Sequence, residues 1–204
     1  MDLTFGLDSV WRSELLEEVR GKRKAAVLEV ATGTGTTAIM LAKRFLNYTV
    51  TGLDFNEKAL EIARKRSKGV KNLKYVNGNV EELTLGNEMF DFVVSDFSLG
   101  AFGDFGKALE EMHRVLKPGG KLVILDINRI NIKMLRRMIN LYSNIVIAPV
   151  MNAQMKRDVE RYVSNTVMSV DKHSISEELR ELGFKRISVR DLSFKLAFIM
   201  SAYK

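Results

Sequence analysis

The chain of 204 residues contains no cysteine and only two histidines. Disulfides, thiolate zinc sites and cysteine nucleophiles are therefore excluded, and we expect no metal site. The sequence also lacks an apolar run of about 18 residues, the length that a membrane-spanning helix needs. Its N-terminal stretch is polar and has no apolar segment of the secretory kind, so we expect a cytoplasmic protein.

The composition is that of a globular protein, with 46% hydrophobic and 28% charged residues. Lysine and arginine number 32 against 25 acidic residues, which gives a formal net charge of +7. Such a charge favours nucleic acid or an anionic membrane as a partner. The basic residues are scattered along the chain, however, and no RNA-binding module accompanies them. We therefore expect no nucleic-acid partner.

Short apolar runs rich in β-branched residues alternate with helical stretches over the first 128 residues. The pattern predicts strands at 25–30, 48–55, 73–77, 90–95 and 121–126. It predicts helices at 36–47, 57–68 and 104–116. Nearly continuous apolar strands that alternate with helices are typical of a parallel sheet covered on both faces. The sequence therefore predicts a doubly wound α/β core over residues 22–128.

The rest of the chain has a different pattern, with a methionine-rich helical stretch at 130–170. We expect this stretch to form a helical lid that contributes to the choice of substrate, with core packing as the alternative. A helix at 176–182 and two β-like runs follow, and the runs are close enough to form an antiparallel hairpin. We interpret residues 1–204 as one domain, in which 174–204 form the C-terminal helix and hairpin.

A glycine loop, VLEVATGTGTTA at 27–38, joins the first strand to the helix that follows it. Gly33 and Gly35 allow a sharp turn and the close approach of a ligand, and the helix N-terminus presents N–H groups to it. Asp54 ends the next strand, 19 residues beyond Gly35. A carboxylate there can accept the two hydroxyls of a ribose. Loop and acid together predict a nucleoside-cofactor site.

The residues of the loop leave two kinds of cofactor open. Gly33-x-Gly35-x-x-Ala38 satisfies the dinucleotide fingerprint with alanine at its third position. An NAD-dependent oxidoreductase therefore stays an alternative on the basis of the loop alone.

Several segments in order resemble the motifs of class I S-adenosylmethionine-dependent methyltransferases. They are VLEVATGTG (27–35), the Asp54 strand, YVNGNVEEL (75–83), FDFVVSDF (90–97) and ALEEMHRVLKPGGKLVILDI (108–127). With LTFGLDSVWR at 3–12 and short matches up to Tyr203-Lys204, the chain is more closely similar to the ubiquinone/menaquinone biosynthesis C-methyltransferases. The resemblance implies a Rossmann-like, mostly parallel seven-stranded sheet with the hairpin antiparallel, and S-adenosylmethionine as cofactor.

The resemblance also implies a set of cofactor-binding residues. These are Glu29, Ala31, Thr32, Gly33, Thr34, Gly35, Asp54, Phe55, Asn79, Val80, Ser95 and Phe97. Glu29 would orient the methionine ammonium, and Phe55 would pack on the adenine. Asn79 departs from the acid usual in the family, although its oxygen can still accept from the adenine amino group. Ser95 and Phe97 would border the transferred methyl group.

The acceptor implied by the resemblance is a small lipophilic or aromatic, quinol-like molecule. The Phe-Gly-x-Arg-Asn run usual in the family is here Phe97-Ser98-Leu99-Gly100-Ala101, so the arginine and asparagine are missing and no general base is named. Tyr142, Tyr162 and His173 are candidates to line the acceptor site. Core packing in helices explains the two tyrosines equally well, and an exposed position before a helix explains His173 better.

Partners beyond the acceptor stay open at this point. The basic amphipathic stretch at 132–138 favours transient contact with a membrane surface. An RNA or protein methyltransferase is an alternative that the net charge favours, and a homodimer is an open oligomeric state.

Overall fold

The computed structural model of the protein describes residues 7–128 and 171–204. Its helices are α1 (Leu7–Glu18), α2 (Thr36–Arg44), α3 (Glu57–Arg66), α4 (Phe105–Val115) and α5 (Lys172–Glu181), with a 3-10 turn at Leu99–Ala101. Its strands are β1 (Ala25–Val30), β2 (Tyr48–Asp54), β3 (Leu73–Asn77), β4 (Phe90–Asp96), β5 (Leu116–Ile127), β6 (Lys185–Leu192) and β7 (Ala197–Tyr203). These bounds agree with most of the predicted elements to within a few residues.

The strands form one seven-stranded sheet in the order β3-β2-β1-β4-β5-β7-β6. The first five of these are parallel, and β7 is antiparallel to both of its neighbours. The predicted fold class, a doubly wound and mostly parallel sheet with a C-terminal antiparallel hairpin, is thereby confirmed. The strand order reverses between β1 and β4, and sheets of this kind bind ligands at the carboxyl ends of the strands beside that point.

Helices cover both faces of the sheet because successive strand side chains point to opposite faces. On one face, Leu15 of α1 and Leu41 of α2 pack in the same buried cluster as Val94. On the other face, Leu109 of α4 packs in the same cluster as Val93, the preceding residue of that strand. The alternation along β4 therefore decides which face each of its side chains meets.

The glycines of the RVLKPGG segment, Gly119 and Gly120, lie within β5. α4 ends and β5 begins before Pro118, and the pairing of β4 with β5 shifts register across the glycines. Gly119 has φ +72° and donates its N–H to the carbonyl of Lys204 at 3.0 Å. Lys204 donates in turn to the carbonyl of Gly120 at 3.0 Å. The glycines thus form a bulge within the strand, stabilised by the C-terminus.

The helical lid predicted at 130–170, together with Tyr142, Tyr162 and the basic stretch at 132–138, lies outside the described residues. Within 7–128 and 171–204, no helix combines the length and the hydropathy that crossing a membrane requires.

Candidate cofactor site

The glycine loop follows β1 in a left-handed conformation, with φ +50° at Ala31, +56° at Gly33 and +78° at Gly35. A Cβ at Gly35 would lie 3.0 Å from the Cβ of Ala63 and would collide with the hydroxyl of Tyr75. A Cβ at Gly33 would meet no atom of the described residues within 4 Å. Gly35 therefore allows the loop to pack closely against α3 and β3, whereas Gly33 serves only the backbone conformation.

Asp54, at the carboxyl end of β2, is buried and fixed to the loop by hydrogen bonds. Its Oδ2 accepts from the N–H of Gly33 at 2.6 Å and its Oδ1 from the N–H of Asn56 at 2.9 Å. Each carboxylate oxygen has a second acceptor site, so the pair can also accept two hydroxyl groups. The structure thus brings Asp54 and the glycine loop together, as the sequence predicts.

A narrow cleft opens beside Asp54, mainly apolar in its lining. Its lining residues are Ala31, Leu53, Asp54, Phe55, Gly78, Asn79, Val80, Glu81, Ala101 and Phe102. Phe55 is 71% exposed, so its ring offers free surface to a planar group. The side-chain oxygen of Asn79 accepts from the N–H of Glu81 at 3.1 Å, which orients its amide. The cleft has the character of a site for a nucleoside base.

Glu29 lies below the loop, with 2% of its surface exposed. It accepts a hydrogen bond from the hydroxyl of Thr32 in the glycine loop. Burial, with a smaller contribution from the nearby Asp96, raises the pKa of Glu29 to about 8, against the opposing effect of the bond from Thr32. At neutral pH the free protein therefore holds Glu29 largely in its protonated form.

Asp96, the last residue of β4, forms a second buried acid on the same face of the sheet. Its Oδ2 accepts from Nε of Arg12 at 2.8 Å and from Oγ1 of Thr37 at 2.6 Å. Among the residues that the structure describes, none donates to the buried Oδ1 of Asp96. Burial raises the pKa of Asp96, and the charge of Arg12 opposes that rise. The Arg12 guanidinium also pairs with Asp8 and lies 5.2 Å from the centroid of the Phe97 ring.

The opposite face of the sheet carries a separate group of polar side chains at the same edge. The hydroxyls of Ser95 and Ser98 lie 2.7 Å apart, and both residues are buried. Oδ2 of Asp126 accepts from the N–H of Leu99 at 3.1 Å. Burial raises the pKa of Asp126 to about 6, against the hydrogen bonds that lower it. These contacts hold the turn after β4 against the end of β5.

The predicted residues are thus gathered at the carboxyl edge of the sheet, and their roles toward a cofactor stay predictions. Thr34 faces outward, where Nη1 of Arg66 donates to its hydroxyl at 2.8 Å. His173 is exposed in the first turn of α5.

Arg12, Thr37, Asp96 and Asp126 were not among the residues that the sequence pointed to. The alternation along FDFVVSDF could have separated Asp96 from Ser95, since neighbouring strand residues face opposite ways. No sequence pattern links Arg12, which lies 84 positions away from Asp96.

The arrangement fits S-adenosylmethionine. Asp54 can hold the ribose hydroxyls and the cleft can take the base, so the methionine end of the cofactor would extend from the ribose along the glycine loop. The unpaired oxygen of Asp96 is suited to a cationic donor.

Comparisons with known proteins agree with this fit. The model of the ubiE/COQ5 methyltransferase family matches residues 2–204. A curated demethylmenaquinone methyltransferase from Staphylococcus haemolyticus is 31% identical over 99% of this chain and 86% of its own length.

Solved structures share the fold. A SAM-dependent methyltransferase from Aquifex aeolicus is similar with a TM-score of 0.73 and 20% identity, over 99% of this chain and 94% of the other. Phosphoethanolamine N-methyltransferase 2 of Haemonchus contortus, solved with S-adenosyl-L-methionine, has a TM-score of 0.70 and 17% identity, over 95% of this chain and 52% of the other.

Proposed function

Since the chain belongs to the ubiE/COQ5 methyltransferase family, we propose that the small molecule it methylates is a quinol-like aromatic compound. The protein is an S-adenosylmethionine-dependent methyltransferase, which sets aside the NAD-dependent alternative. We infer the class of acceptor from the 31% identity, over nearly the full chain, to a demethylmenaquinone methyltransferase.

The bound cofactor supplies an electrophilic methyl group on a sulfonium. The task left to the protein is alignment and the exclusion of water, since a correctly placed nucleophile needs little further help. We propose that Asp54 binds the ribose and that the apolar cleft binds the base. The methionine part of the cofactor would run along the loop that contains Gly33 and Gly35. With these assignments the reactive end of the cofactor would lie at the carboxyl edges of β1 and β4, where the acceptor would enter.

Methylation of a ring carbon is helped by the removal of a proton from an adjacent hydroxyl, which supplies electron density to the ring. Gly100 and Ala101 occupy the positions of the family's arginine and asparagine, and neither side chain can accept a proton. The base therefore lies elsewhere or the acceptor ionises in solution. Tyr142, Tyr162 and His173 remain our proposed acceptor-lining residues.

The proposed acceptor is tested with radiolabelled S-adenosylmethionine and three acceptors offered in parallel. These are a naphthoquinol with hydrogen on the carbon beside its hydroxyl, bulk tRNA and phosphoethanolamine. We expect label in the naphthoquinol alone, and the same naphthoquinol with a methyl group already on that carbon should take up none. Label in tRNA with none in the naphthoquinol would instead favour the nucleic-acid alternative.

A lipophilic acceptor is most concentrated at a membrane, and the β6–β7 hairpin supports transient contact there. Ile127 at the end of β5 pairs with Ala197, so the hairpin tip lies at the same edge of the sheet as the cofactor site. Phe194 at this tip is fully exposed and is followed by Lys195. An apolar ring beside a cation is the combination that binds an anionic membrane surface.

Co-sedimentation with vesicles rich in phosphatidylglycerol tests this contact. We expect Phe194→Ser to reduce the bound fraction severalfold at low salt. Val189→Ser, which removes an exposed side chain in the middle of β6, should leave it unchanged. Equal binding by all three proteins would remove the hairpin from the proposal. A cytoplasmic location and a homodimer stay predictions, which cell fractionation and sedimentation equilibrium would test.

A further inference from the structure

We propose that the tip of the β6–β7 hairpin and the cofactor site are coupled through Trp11 of α1, so that docking of the tip on an anionic membrane strengthens cofactor binding. By linkage, a bound cofactor strengthens the docking to the same extent. The inference rests on the proposed membrane contact and adds a regulation of the same site. It does not depend on the identity of the acceptor.

The tip, residues 193–196 between the paired Leu192 and Ala197, has a strained backbone. Ser193, Phe194 and Lys195 have φ of +44°, +57° and +69°, and none of them is glycine. A left-handed conformation is unfavourable for a residue with a Cβ, so three in succession persist only where neighbouring contacts hold them. The Phe194 ring that this turn presents is fully exposed, and its burial in a membrane releases a free energy comparable to the strain.

A contact that holds the tip comes from α1. Nε1 of Trp11 donates to Oγ of Ser193 at 2.8 Å. The indole is 4% exposed and packs in the same buried cluster as Leu192 and Ala197, the pair that closes the hairpin. Trp11 has a single N–H, which would be left buried without an acceptor if this bond were lost. A change in the tip therefore moves Trp11 or leaves its N–H unsatisfied.

The same helix also reaches the cofactor edge of the sheet. The ring centroid of Trp11 lies 6.0 Å from that of Phe97. The guanidinium of Arg12 lies 5.2 Å from the centroid of the Phe97 ring, and its Nε donates to Oδ2 of Asp96 at 2.8 Å. The same oxygen accepts from the hydroxyl of Thr37, in the helix that follows the glycine loop. A displacement of α1 at Trp11 therefore alters the contacts of β4 and of α2 together.

The body of the hairpin is held by other bonds, so the tip can change without it. Oδ1 of Asp191 accepts from Nδ2 of Asn128 at 2.9 Å and from Nζ of Lys172 at 2.5 Å. Nδ2 of Asn128 also donates to the carbonyl of Ala197 at 3.1 Å. These bonds fix β6 and β7 to the end of β5 and the start of α5. The response to a membrane is thus confined to the tip and to Trp11.

The sign of the coupling follows from the shared helix. Docking of the tip restricts α1 through Trp11, and a cofactor at the carboxyl edge restricts it through the contacts of Arg12. Whichever event comes second meets a helix that the first has already ordered, so it loses less conformational entropy. The two events therefore favour each other.

Calorimetric titration with S-adenosylhomocysteine measures the coupling without an acceptor. Vesicles rich in phosphatidylglycerol should raise the affinity of the wild type for this ligand about fivefold or more. Vesicles of phosphatidylcholine alone, which lack the anionic surface, should leave the affinity unchanged. Saturation with S-adenosylhomocysteine should in turn raise the affinity of the protein for the anionic vesicles by the same factor.

Ser193→Ala removes the acceptor of the indole N–H and keeps the exposed Phe194. This variant should bind vesicles and S-adenosylhomocysteine as the wild type does when each is offered alone, while the effect of one on the other disappears. Ser188→Ala is the matched control, because it makes the same change at an exposed position in the middle of β6. It should keep the full coupling.

Trp11 is the only tryptophan of the chain, so its fluorescence reports on the contact directly. Anionic vesicles should shift its emission in the wild type. Vesicles that bind but leave both this emission and the affinity for S-adenosylhomocysteine unchanged would overturn the proposal, as would a coupling that persists in Ser193→Ala. Absence of vesicle binding would remove the proposed membrane contact and this inference together, whereas failure of the naphthoquinol as acceptor would not alter these measurements.

Discussion

The two ends of β4 each carry an aspartate, and the two side chains differ in their hydrogen bonding and in the direction of their pKa shifts. At the amino end, Oδ1 of Asp91 accepts from Nζ of Lys22 at 2.7 Å, while Oδ2 accepts from the N–H of Ala26 at 2.8 Å and Nζ of Lys117 at 3.0 Å. Burial acts to raise its pKa, but these three bonds together lower the pKa of Asp91 to about 2. At the carboxyl end, burial raises the pKa of Asp96, and one of its oxygens receives no hydrogen bond from residues 7–128 and 171–204. Hydrogen bonds within the protein therefore compensate the carboxylate of Asp91 fully, whereas those of the described residues compensate the carboxylate of Asp96 only in part.

The contrast extends to the two edges of the sheet. At the amino edge, backbone hydrogen bonds from the last residue close the glycine bulge of β5. At the carboxyl edge, Glu29, Asp96 and Asp126 all have a pKa raised mainly by burial. Clusters of acids with displaced pKa values are characteristic of functional sites, where charge is held without full compensation. The buried acids at the carboxyl edge therefore lower the stability of the folded protein, whereas Asp91 at the amino edge does not.

The largest expected effect is the pH dependence that Glu29 gives to stability. Its pKa is about 8 in the folded chain against an ordinary value of 4.5 for a solvated glutamate, so the folded protein keeps a proton that the unfolded chain releases. The free energy of unfolding should therefore fall as the pH rises from 4.5 to about 8 and level off above it. The full effect is on the order of 5 kcal/mol, at about 1.4 kcal/mol per pKa unit.

Urea denaturation of the wild type and of Glu29→Gln at several pH values measures this dependence. Asp126 titrates in the same direction with a pKa of about 6, so the difference between the two proteins is read from pH 6 to 8. A difference that stays constant over that window would show that Glu29 is already ionised in the folded protein.

Asp54→Ala should have the next largest effect, because it removes a carboxylate that also holds the glycine loop. The bond from Gly33 at 2.6 Å and the acceptor for the ribose are both lost. We expect S-adenosylhomocysteine affinity to fall about 100-fold, or about 2.7 kcal/mol. Calorimetry measures the loss, and 5′-methylthioadenosine, which has the same base and ribose but no amino-acid end, should lose affinity in parallel. Unchanged affinity would place the ribose elsewhere.

Substitution by alanine should destabilise the protein more at Gly35 than at Gly33, although both residues have positive φ. Alanine at Gly35 places a Cβ against Ala63 and the Tyr75 hydroxyl, so we expect a loss of about 2–3 kcal/mol in stability. Alanine at Gly33 meets open space and should cost about 1 kcal/mol from backbone strain alone. Equal losses in urea denaturation would mean that the close packing at Gly35 relaxes freely.

Much of the carboxyl edge of the sheet could be predicted from the sequence, because its structure depends on local sequence patterns. The period of apolar residues predicts β1 and β2, and two glycines followed by Asp54 at a strand end predict the loop and its acid. The bulge at Gly119 and Gly120 could not be predicted, since the partner in its hydrogen bonds is Lys204, far along the chain. The contact of Arg12 with β4 was missed for the same reason, because tertiary packing of α1 creates it.

The smallest expected effect is that of Asp91→Asn, at the amino edge of the sheet, where three hydrogen bonds hold the carboxylate. The pairs with Lys22 and Lys117 are partly exposed, and such ion pairs contribute little individually. The amide oxygen can still accept from the N–H of Ala26, so we expect a loss of about 1 kcal/mol in stability at pH 7. Because the pKa of Asp91 is lowered to about 2, this contribution is present above the unfolded value of 3.8 and is lost as the pH falls through 2. In urea denaturation, the difference between wild type and variant should therefore shrink steadily as the pH is lowered from 4 to 2. A difference that stays constant over this range would mean that the carboxylate's charge is not what stabilises this edge.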